Sequence, residues 1–305
     1  MRVAIAGGTG FIGRALTEVL LDNGAEVVIL TRKPRSKSTR KGLSYVAWLN
    51  EATDSEQKLS GITAFVNLAG ENLNSGRWTK TRKESILQSR INATKEAVRM
   101  ISRLEKKPDV LINGSAIGFY GTSLQEAFTE EAAVPSDDFL AKVVAGWENE
   151  AKNAEKHTRV VYTRFGMVLD KNEGAFKKML LPFKLFAGGN LGSGRQWISW
   201  IHIEDAVNAI LHCITSDELD GPVNVTAPEP VIMSEFGKTL SRIIQRPYWL
   251  TVPDFVLKTV LGEMSTLILA GQKVLPQKLL QSGFSYRFKT IDAALTDLTD
   301  NKHSK

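Results

Sequence analysis

MRVAIAGGTGFIGRALTEVLLDNGAEVVILTRKPR, Met1 to Arg35, decides the fold of this 305-residue chain. The apolar run 3–6 reads as a buried strand, Gly7, Gly10 and Gly13 as a tight turn, residues 11–21 as a helix and 26–31 as the next strand. In a strand–turn–helix–strand unit each glycine has its own task. Gly7 permits the sharp turn, Gly10 lets backbone approach a pyrophosphate, and Gly13 lets helix and strand pack closely. The helix start, at Thr9, Phe11 and Ile12, offers unpaired N–H groups and the positive end of the helix dipole to a diphosphate. The position of the pattern between strand and helix points to dinucleotide binding rather than to a plain structural turn.

A site for NAD would carry an acid about 20 residues beyond the glycines, where it holds the ribose 2′-hydroxyl. Here the second strand ends in Thr31, followed by Arg32, Lys33 and Arg35. Cations accommodate a 2′-phosphate, so the expected cofactor is NADP(H). Residues 32–41 hold six basic residues and would also suit a solvated loop.

Composition sets the outer limits. Apolar residues make up 43% and charged residues 24% of the chain, as in ordinary globular proteins. A net charge of +6 raises the question of nucleic acid, but no nucleic-acid motif accompanies the basic clusters, and no such partner is expected. A single cysteine, Cys213, excludes an intrachain disulfide and suits a reducing compartment. Met1 leads straight into the first strand and no apolar run reaches the ~20 residues that span a bilayer, so a cytoplasmic protein without membrane association is expected. Four histidines and one cysteine are scattered without metal-ligand spacing, and no metal is expected.

Further along, residues 64–68 form the next clear strand, and Leu68, Ala69 and Gly70 should line the dinucleotide where ligands gather in open parallel sheets. A helix over about 80–105, a strand at 110–113, a polar loop over 122–138, a helix over 139–157 and a strand at 160–165 continue the alternation of a doubly wound α/β sheet. Beyond 166 the rhythm changes. Residues 180–194 read as a glycine-rich loop, 197–203 as an aromatic strand, 204–216 as a helix and 221–225 as a returning strand. Ser234 reads as the cap of a further helix, and 254–281 as mostly helical with a break near Pro276. The last six or so residues read as disordered. The expected division is a dinucleotide-binding domain of 1–165 with segments from about 200–228, and a smaller, mainly helical C-terminal substrate lobe from about 166–199 and 229–300.

These features resemble the extended short-chain dehydrogenase/reductases. The stretches NLAGEN, RWT, SRINAT, GSAIGFYG, LGSGRQWISWIHIEDA and GQKVLPQKLLQSGF resemble, more narrowly, an atypical subgroup, the epimerase family protein or SDR39U1-like family. The resemblance covers nearly the whole chain and implies a Rossmann domain that binds NADP(H), with a small lobe over a pocket. It also implies a Tyr-x-x-x-Lys pair, a Ser or Thr that holds the reacting oxygen and an Asn that organises water. Aligned on that pattern, Asp138 and Lys142 take the Tyr and Lys positions, Ala116 takes the Ser position with Ser115 one residue early, and Arg90 takes the Asn position near the cofactor.

With the usual tyrosine missing, the candidate acid/base groups are Ser115, Tyr120 and Glu71, which follow the central strands. Arg195, Trp197, Trp200 and His202 form the candidate substrate block. For Tyr120 and His202 a packing role competes with a chemical one. The expected function is NADP(H)-dependent reductase or epimerase-like chemistry on an unknown small or nucleotide-linked substrate, by a monomer or homodimer. The alternative is a non-catalytic NADP(H)-binding redox sensor or regulatory protein.

Overall fold

The computed structural model describes residues 1–33, 40–49, 55–132 and 137–300. Arg35 and the tail from 301 onward lie outside the described residues. The chain opens with β1 (Arg2–Ala6), α1 (Phe11–Asp22), β2 (Glu26–Thr31), β3 (Leu43–Ala47) and β4 (Ala64–Asn67). It continues through α2 (Lys80–Arg103), β5 (Val110–Ala116), the short β6 (Ala127–Phe128), α3 (Phe139–Ala151) and β7 (Arg159–Phe165). Next come β8 (Met167–Leu169), α4 (Gly174–Lys184), β9 (Gly189–Leu191), β10 (Trp197–Ile198), β11 (Trp200–His202), α5 (Ile203–Thr215) and β12 (Gly221–Val225). The remaining elements are β13 (Val231–Ile232), α6 (Met233–Ile243), β14 (Leu250–Val252), α7 (Asp254–Leu261), α8 (Thr266–Leu269), β15 (Lys273–Val274), α9 (Gln277–Gln281) and α10 (Ile291–Thr299).

Among the described residues seven strands make one sheet in the order β12-β7-β5-β4-β1-β2-β3, and every neighbouring pair is parallel. Strands of such a sheet are covered on both faces, which is why they read as unbroken apolar runs. One face packs Val3, Ile5, Val27, Ile29, Val66 and Ile112 against Leu16 and Leu20 of α1 and Val207 and Ile210 of α5. The alternate residues Ala4, Ala6, Val28, Leu30, Phe65 and Leu111 face Ala93, Ala97 and Met100 of α2. This is the doubly wound Rossmann architecture.

A separate core follows β7. Phe176, Leu180 and Phe183 of α4, Phe236 and Leu240 of α6, and Ala294, Leu295 and Leu298 of α10 close around Trp200 and Phe288. Four boundaries differ from the sequence reading. Residues 180–194 are not all loop, because the apolar spacing Phe176, Leu180, Phe183 carries α4 through Lys184. The aromatic strand at 197–203 is two short strands, β10 antiparallel to β13 and β11 parallel to β8. At the break, a Cβ on Gly166 would lie 2.4 Å from the Ser199 carbonyl oxygen, so two backbones cross there in close approach. Ser234 lies inside α6, whose preceding residue is Ile232, and caps nothing. Residues 254–281 are three short helices with β15 between them, and β15 pairs with β6 inside the expected 122–138 loop.

Candidate functional site

The sheet order reverses direction at the β1–β4 boundary, and ligands of open parallel sheets gather beyond the carboxyl ends of strands at such a point. The glycine turn occupies this place. Gly7 has a φ of +80°, and a Cβ there would lie 2.7 Å from the Leu68 carbonyl carbon. A Cβ on Gly13 would lie 2.2 Å from the Gly7 oxygen, so this glycine fixes how closely α1 meets the turn. Gly10 differs: its Cβ would meet only the Gly7 oxygen, at 3.1 Å, and the space beyond is open. Gly10 is also the N-cap of α1 and supplies no side-chain cap, so the first-turn N–H groups around Phe11, Ile12 and Gly13 are left to an anion.

Thr31 ends β2, adjacent to β1, and Arg32 and Lys33 follow it exposed to solvent. No carboxylate stands among these three residues. Leu68, Ala69 and Gly70 follow β4; Leu68 and Ala69 lie against the turn at Gly7, and Gly70 lies against Arg90. The start of α4 reaches back to α1, with Gly174 beside the Phe11 ring and Glu173 paired to Arg14, whose guanidinium also donates to the Thr9 carbonyl. The donor set, bare helix N-terminus, glycine turn and free cations after β2, fits an NADP(H) diphosphate and 2′-phosphate.

A cavity of about 560 Å³ opens at the carboxyl end of β5, bounded by Ala116, Ile117 and Gly118, by α3, by Phe165 to Met167, by Trp197 and by Leu267. That is an ordinary size for a small-molecule site. The register of α3 differs from the sequence reading. Asp138 is the N-cap and accepts from the Ala141 N–H at 2.9 Å, while Lys142 points to solvent with its Nζ 3.0 Å from Asp137. The residues one turn apart that line the cavity beside Gly118 are Leu140 and Val144. Both are apolar, so the place of a phenol and its lysine is taken by hydrocarbon.

The candidate acid/base groups sit in networks outside the cavity lining. Ser115 donates to Glu148 Oε1 at 2.6 Å, and Arg164 grips the same carboxylate from Nε and Nη2 at 2.8 Å each. Arg164 Nη1 donates to the Tyr120 hydroxyl at 2.8 Å, which donates in turn to Asn224 Oδ1 at 2.7 Å. Tyr120 is fully buried, stacked on Phe128, and burial pushes its phenol above the usual range against the pull of Arg164. Glu71 is held by Arg82 at 2.7 Å. Asn67 donates to Thr94 and to Asn113 at 3.0 and 2.8 Å and closes a smaller buried cluster behind the strand ends.

Arg90 does line the cavity. Its guanidinium lies 5.2 Å from the Trp147 ring, with Gly70 close against its stem, and Nη1 donates to the Ile86 carbonyl at 3.1 Å. Burial lowers its pKa to about 10, still fully charged near neutrality; Glu71 opposes that shift and Arg82 adds to it.

The expected substrate block separates. Trp197 lines the cavity and donates Nε1 to the Leu124 carbonyl at 3.0 Å. Trp200 is fully buried in the second core and donates to the Glu229 carbonyl at 3.0 Å. His202 caps α5, its Nδ1 accepting from the Glu204 N–H at 3.2 Å, and its ring lies 3.9 Å from that of Phe288. Arg195 is exposed and outside the cavity lining. The sequence reading missed Glu148 and Arg164, although an arginine inside the apolar strand VVYTRF was a readable sign of a buried ion pair.

Among the described residues no His, Cys, Asp and Glu group could hold a metal, and no helix is long and apolar enough to cross a membrane. Residues 3–226 match the NAD dependent epimerase/dehydratase family, and residues 252–298 match a domain of unknown function, DUF1731. The chain is 47% identical to the epimerase family protein YfhF of Bacillus subtilis, with 98% of each chain covered. It is 42% identical to the chloroplastic epimerase family protein SDR39U1 homolog of Arabidopsis thaliana, over 97% of this chain and 86% of that one. A crystal structure of human epimerase family protein SDR39U1 with NADPH superposes with a TM-score of 0.88 at 33% identity, covering 99% of this chain and 100% of that one. UDP-glucuronic acid 4-epimerase of Bacillus cereus shares the fold, with a TM-score of 0.78 at 16% identity and 98% of each chain covered.

Proposed function

Because the chain belongs to the NAD dependent epimerase/dehydratase family, within its SDR39U1-like branch, we propose that it binds NADP(H) on the β1–α1 turn and exchanges hydride with a small molecule in the adjoining cavity. The observation that carries this reading is the position of the 560 Å³ cavity at the end of β5, two strands from the glycine turn in the sheet order. NADP(H) supplies the hydride chemistry. The chain supplies the rest: the N–H groups of α1 for the diphosphate, Arg32 and Lys33 for the 2′-phosphate, and Leu68 to Gly70 as a wall. NADPH in the human relative supports the choice of cofactor.

In this reading residues 1–165 with about 200–228 form the cofactor domain, and about 166–199 with 229–300 form the substrate lobe. The protein works as a monomer or homodimer in the cytoplasm. Leu140 and Val144 deprive the cavity of the usual phenol, and Arg90 is the cation left at the wall to meet a ligand. The same two apolar residues favour a second reading, a protein that binds NADP(H) and a ligand to report redox state without turnover.

Deuterium-labelled NADPH separates the two. The protein is incubated with it and with carbonyl compounds and enones that raise its melting temperature, and the products are examined by mass spectrometry. Deuterium in any such compound above the protein-free control supports the enzyme. Tight NADPH binding with no transfer to any stabilising compound moves the assignment to the sensor.

A further inference from the structure

Arg90 stands where the pattern of α2 calls for an apolar residue. Ile86, Arg90 and Thr94 follow one another at one-turn spacing, and Ile86 and Thr94 are fully buried. The guanidinium is half-buried, laid between Gly70 and the Trp147 indole, and its one described hydrogen bond goes to the Ile86 carbonyl. Glu71, the carboxylate that bears on it, is taken up by Arg82 at 2.7 Å. Among the described residues no carboxylate forms an ion pair with Arg90. A partly desolvated cation held flat and without a counter-ion at a cavity wall is arranged for an anion that arrives with a ligand.

The cavity wall defines the remainder of that ligand. Trp78, Phe139, Trp147, Phe165 and Trp197 supply aromatic surface. Part of the polar lining is occupied by internal bonds, while the buried Trp147 Nε1 has no partner among the described residues. Ser199 donates to the Gln272 carbonyl and accepts from the Val274 N–H, both at 2.8 Å, and Gln272 Nε2 donates to the Ile117 carbonyl at 2.9 Å. Glu263 is paired with Lys83 at 2.8 Å. A nucleotide sugar would bring the two charges of a diphosphate to a wall with one cation, which is costly, whereas a single carboxylate matches it. The glycine turn, Arg32 and Lys33 do not line this cavity, so Arg90 stands apart from the groups assigned above to the cofactor's diphosphate and 2′-phosphate.

We propose that Arg90 anchors the substrate through a carboxylate, and that the substrate is a small, largely apolar aromatic acid rather than a nucleotide sugar. The proposal rests on the cavity being the substrate site of the NADP(H)-binding reading above. In the bound state the guanidinium donates to the carboxylate while the ring lies among the tryptophans and phenylalanines.

Titration calorimetry with 2-naphthoate, its neutral isostere 2-naphthamide and UDP-glucose, each with and without NADPH, tests this. The acid should bind about tenfold or more tighter than the amide, the range of one charge-assisted hydrogen bond. Arg90→Met should erase that preference while amide and NADPH affinities stay within about twofold, and Arg90→Lys should keep part of it. The acid/amide comparison in the unaltered protein needs no variant, so it stands even where Arg90→Met fails to fold. Equal binding of acid and amide, displacement of naphthoate by UDP-glucose, or a loss of NADPH affinity in Arg90→Met as large as the loss for naphthoate would each overturn the proposal. Absence of NADPH binding to the unaltered protein would instead sink the cofactor reading, and the titrations without NADPH read Arg90 separately.

Discussion

Glu148 of α3 and Arg164 of β7 meet through two hydrogen bonds of 2.8 Å, both side chains less than a tenth exposed. The pair locks α3 onto the sheet behind the cavity and gathers the hydroxyls of Ser115 and Tyr120 around it. Two charges have been taken out of water, and their mutual attraction and hydrogen bonds offset that cost only while both are present. Arg164→Met strands the carboxylate and should lower unfolding free energy by about 3–5 kcal/mol in urea denaturation. Arg164→Met combined with Glu148→Gln should recover a large part of that loss. A double variant no more stable than the single one would show that packing, and not the stranded charge, dominates.

The glycines of the first turn should separate folding from binding. Gly13→Ala places a methyl 2.2 Å from the Gly7 oxygen, so α1 must shift, and the melting temperature should fall by several degrees. Gly10→Val adds bulk where only one atom lies near, so the fold should survive while NADPH binding is lost. Calorimetric melting and NADPH fluorescence on both variants check this. Normal NADPH affinity in Gly10→Val would remove the turn from the cofactor site.

The parallel sheet was legible because its strands are buried on both faces and show as continuous apolar runs, and because Gly7, Gly10 and Gly13 punctuate a strand–helix junction. The second core was less legible. Its strands are two or three residues long, below the length at which periodicity distinguishes strand from loop, and each pairs with a segment distant in sequence. The helix α3 was found, but the face it shows to the cavity was misread by two residues. Lys142 drew the alignment to itself, whereas the inward face carries Leu140 and Val144 beside Gly118 and Trp147 beside Gly114 of β5. Tyr120 follows the end of β5 as expected, whereas Ser115 lies inside the strand, one residue before its end. Their side-chain directions depend on distant partners: Ser115 on Glu148, 33 residues beyond it, and Tyr120 on Arg164, 44 residues beyond it.

Arg32 should discriminate between cofactors. It is exposed after β2, and its neighbour Thr31 offers no negative charge to hold a bare ribose or repel a phosphate. Arg32→Ala should weaken NADPH by about tenfold or more, the effect of one charge-assisted hydrogen bond, and leave NADH within about twofold. Titration of both cofactors measures it. Equal losses would show that Arg32 holds a part the two cofactors share.

Tyr120 and Lys142 should both prove dispensable for cofactor binding, for different reasons. Tyr120→Phe leaves Arg164 Nη1 without its acceptor and Asn224 Oδ1 without its donor, at a cost of about 1–3 kcal/mol in stability. Lys142→Ala removes only a solvent-exposed pair with Asp137 and should change stability by less than about 1 kcal/mol. Urea denaturation gives both values, and NADPH titration should give unaltered affinity for both variants. A Lys142→Ala variant that loses NADPH would restore the register in which this lysine faces the cofactor.

His202 should make stability depend on pH through the start of α5. Burial lowers its pKa, opposed by the carboxylates of Glu204, Asp297, Asp205 and Asp170, and its Nδ1 must stay unprotonated to accept the Glu204 N–H. The folded value lies below the unfolded value of about 6.5, so on acidification the unfolded chain binds the proton first. The stabilising contribution is therefore complete above about pH 6.5 and is lost as pH falls toward the folded value, with a slope of at most about 1.4 kcal/mol per pH unit. Unfolding free energies of the unaltered protein and of His202→Gln, measured between about pH 7.5 and about pH 5.5, isolate this group from all others that titrate in the same range. The difference should shift in favour of the glutamine variant as the solution is acidified. A shift the other way would mean that Asp297, whose Oδ2 lies 3.4 Å from Nε2, holds the imidazole in its charged form and that the cap at Glu204 is made by other means.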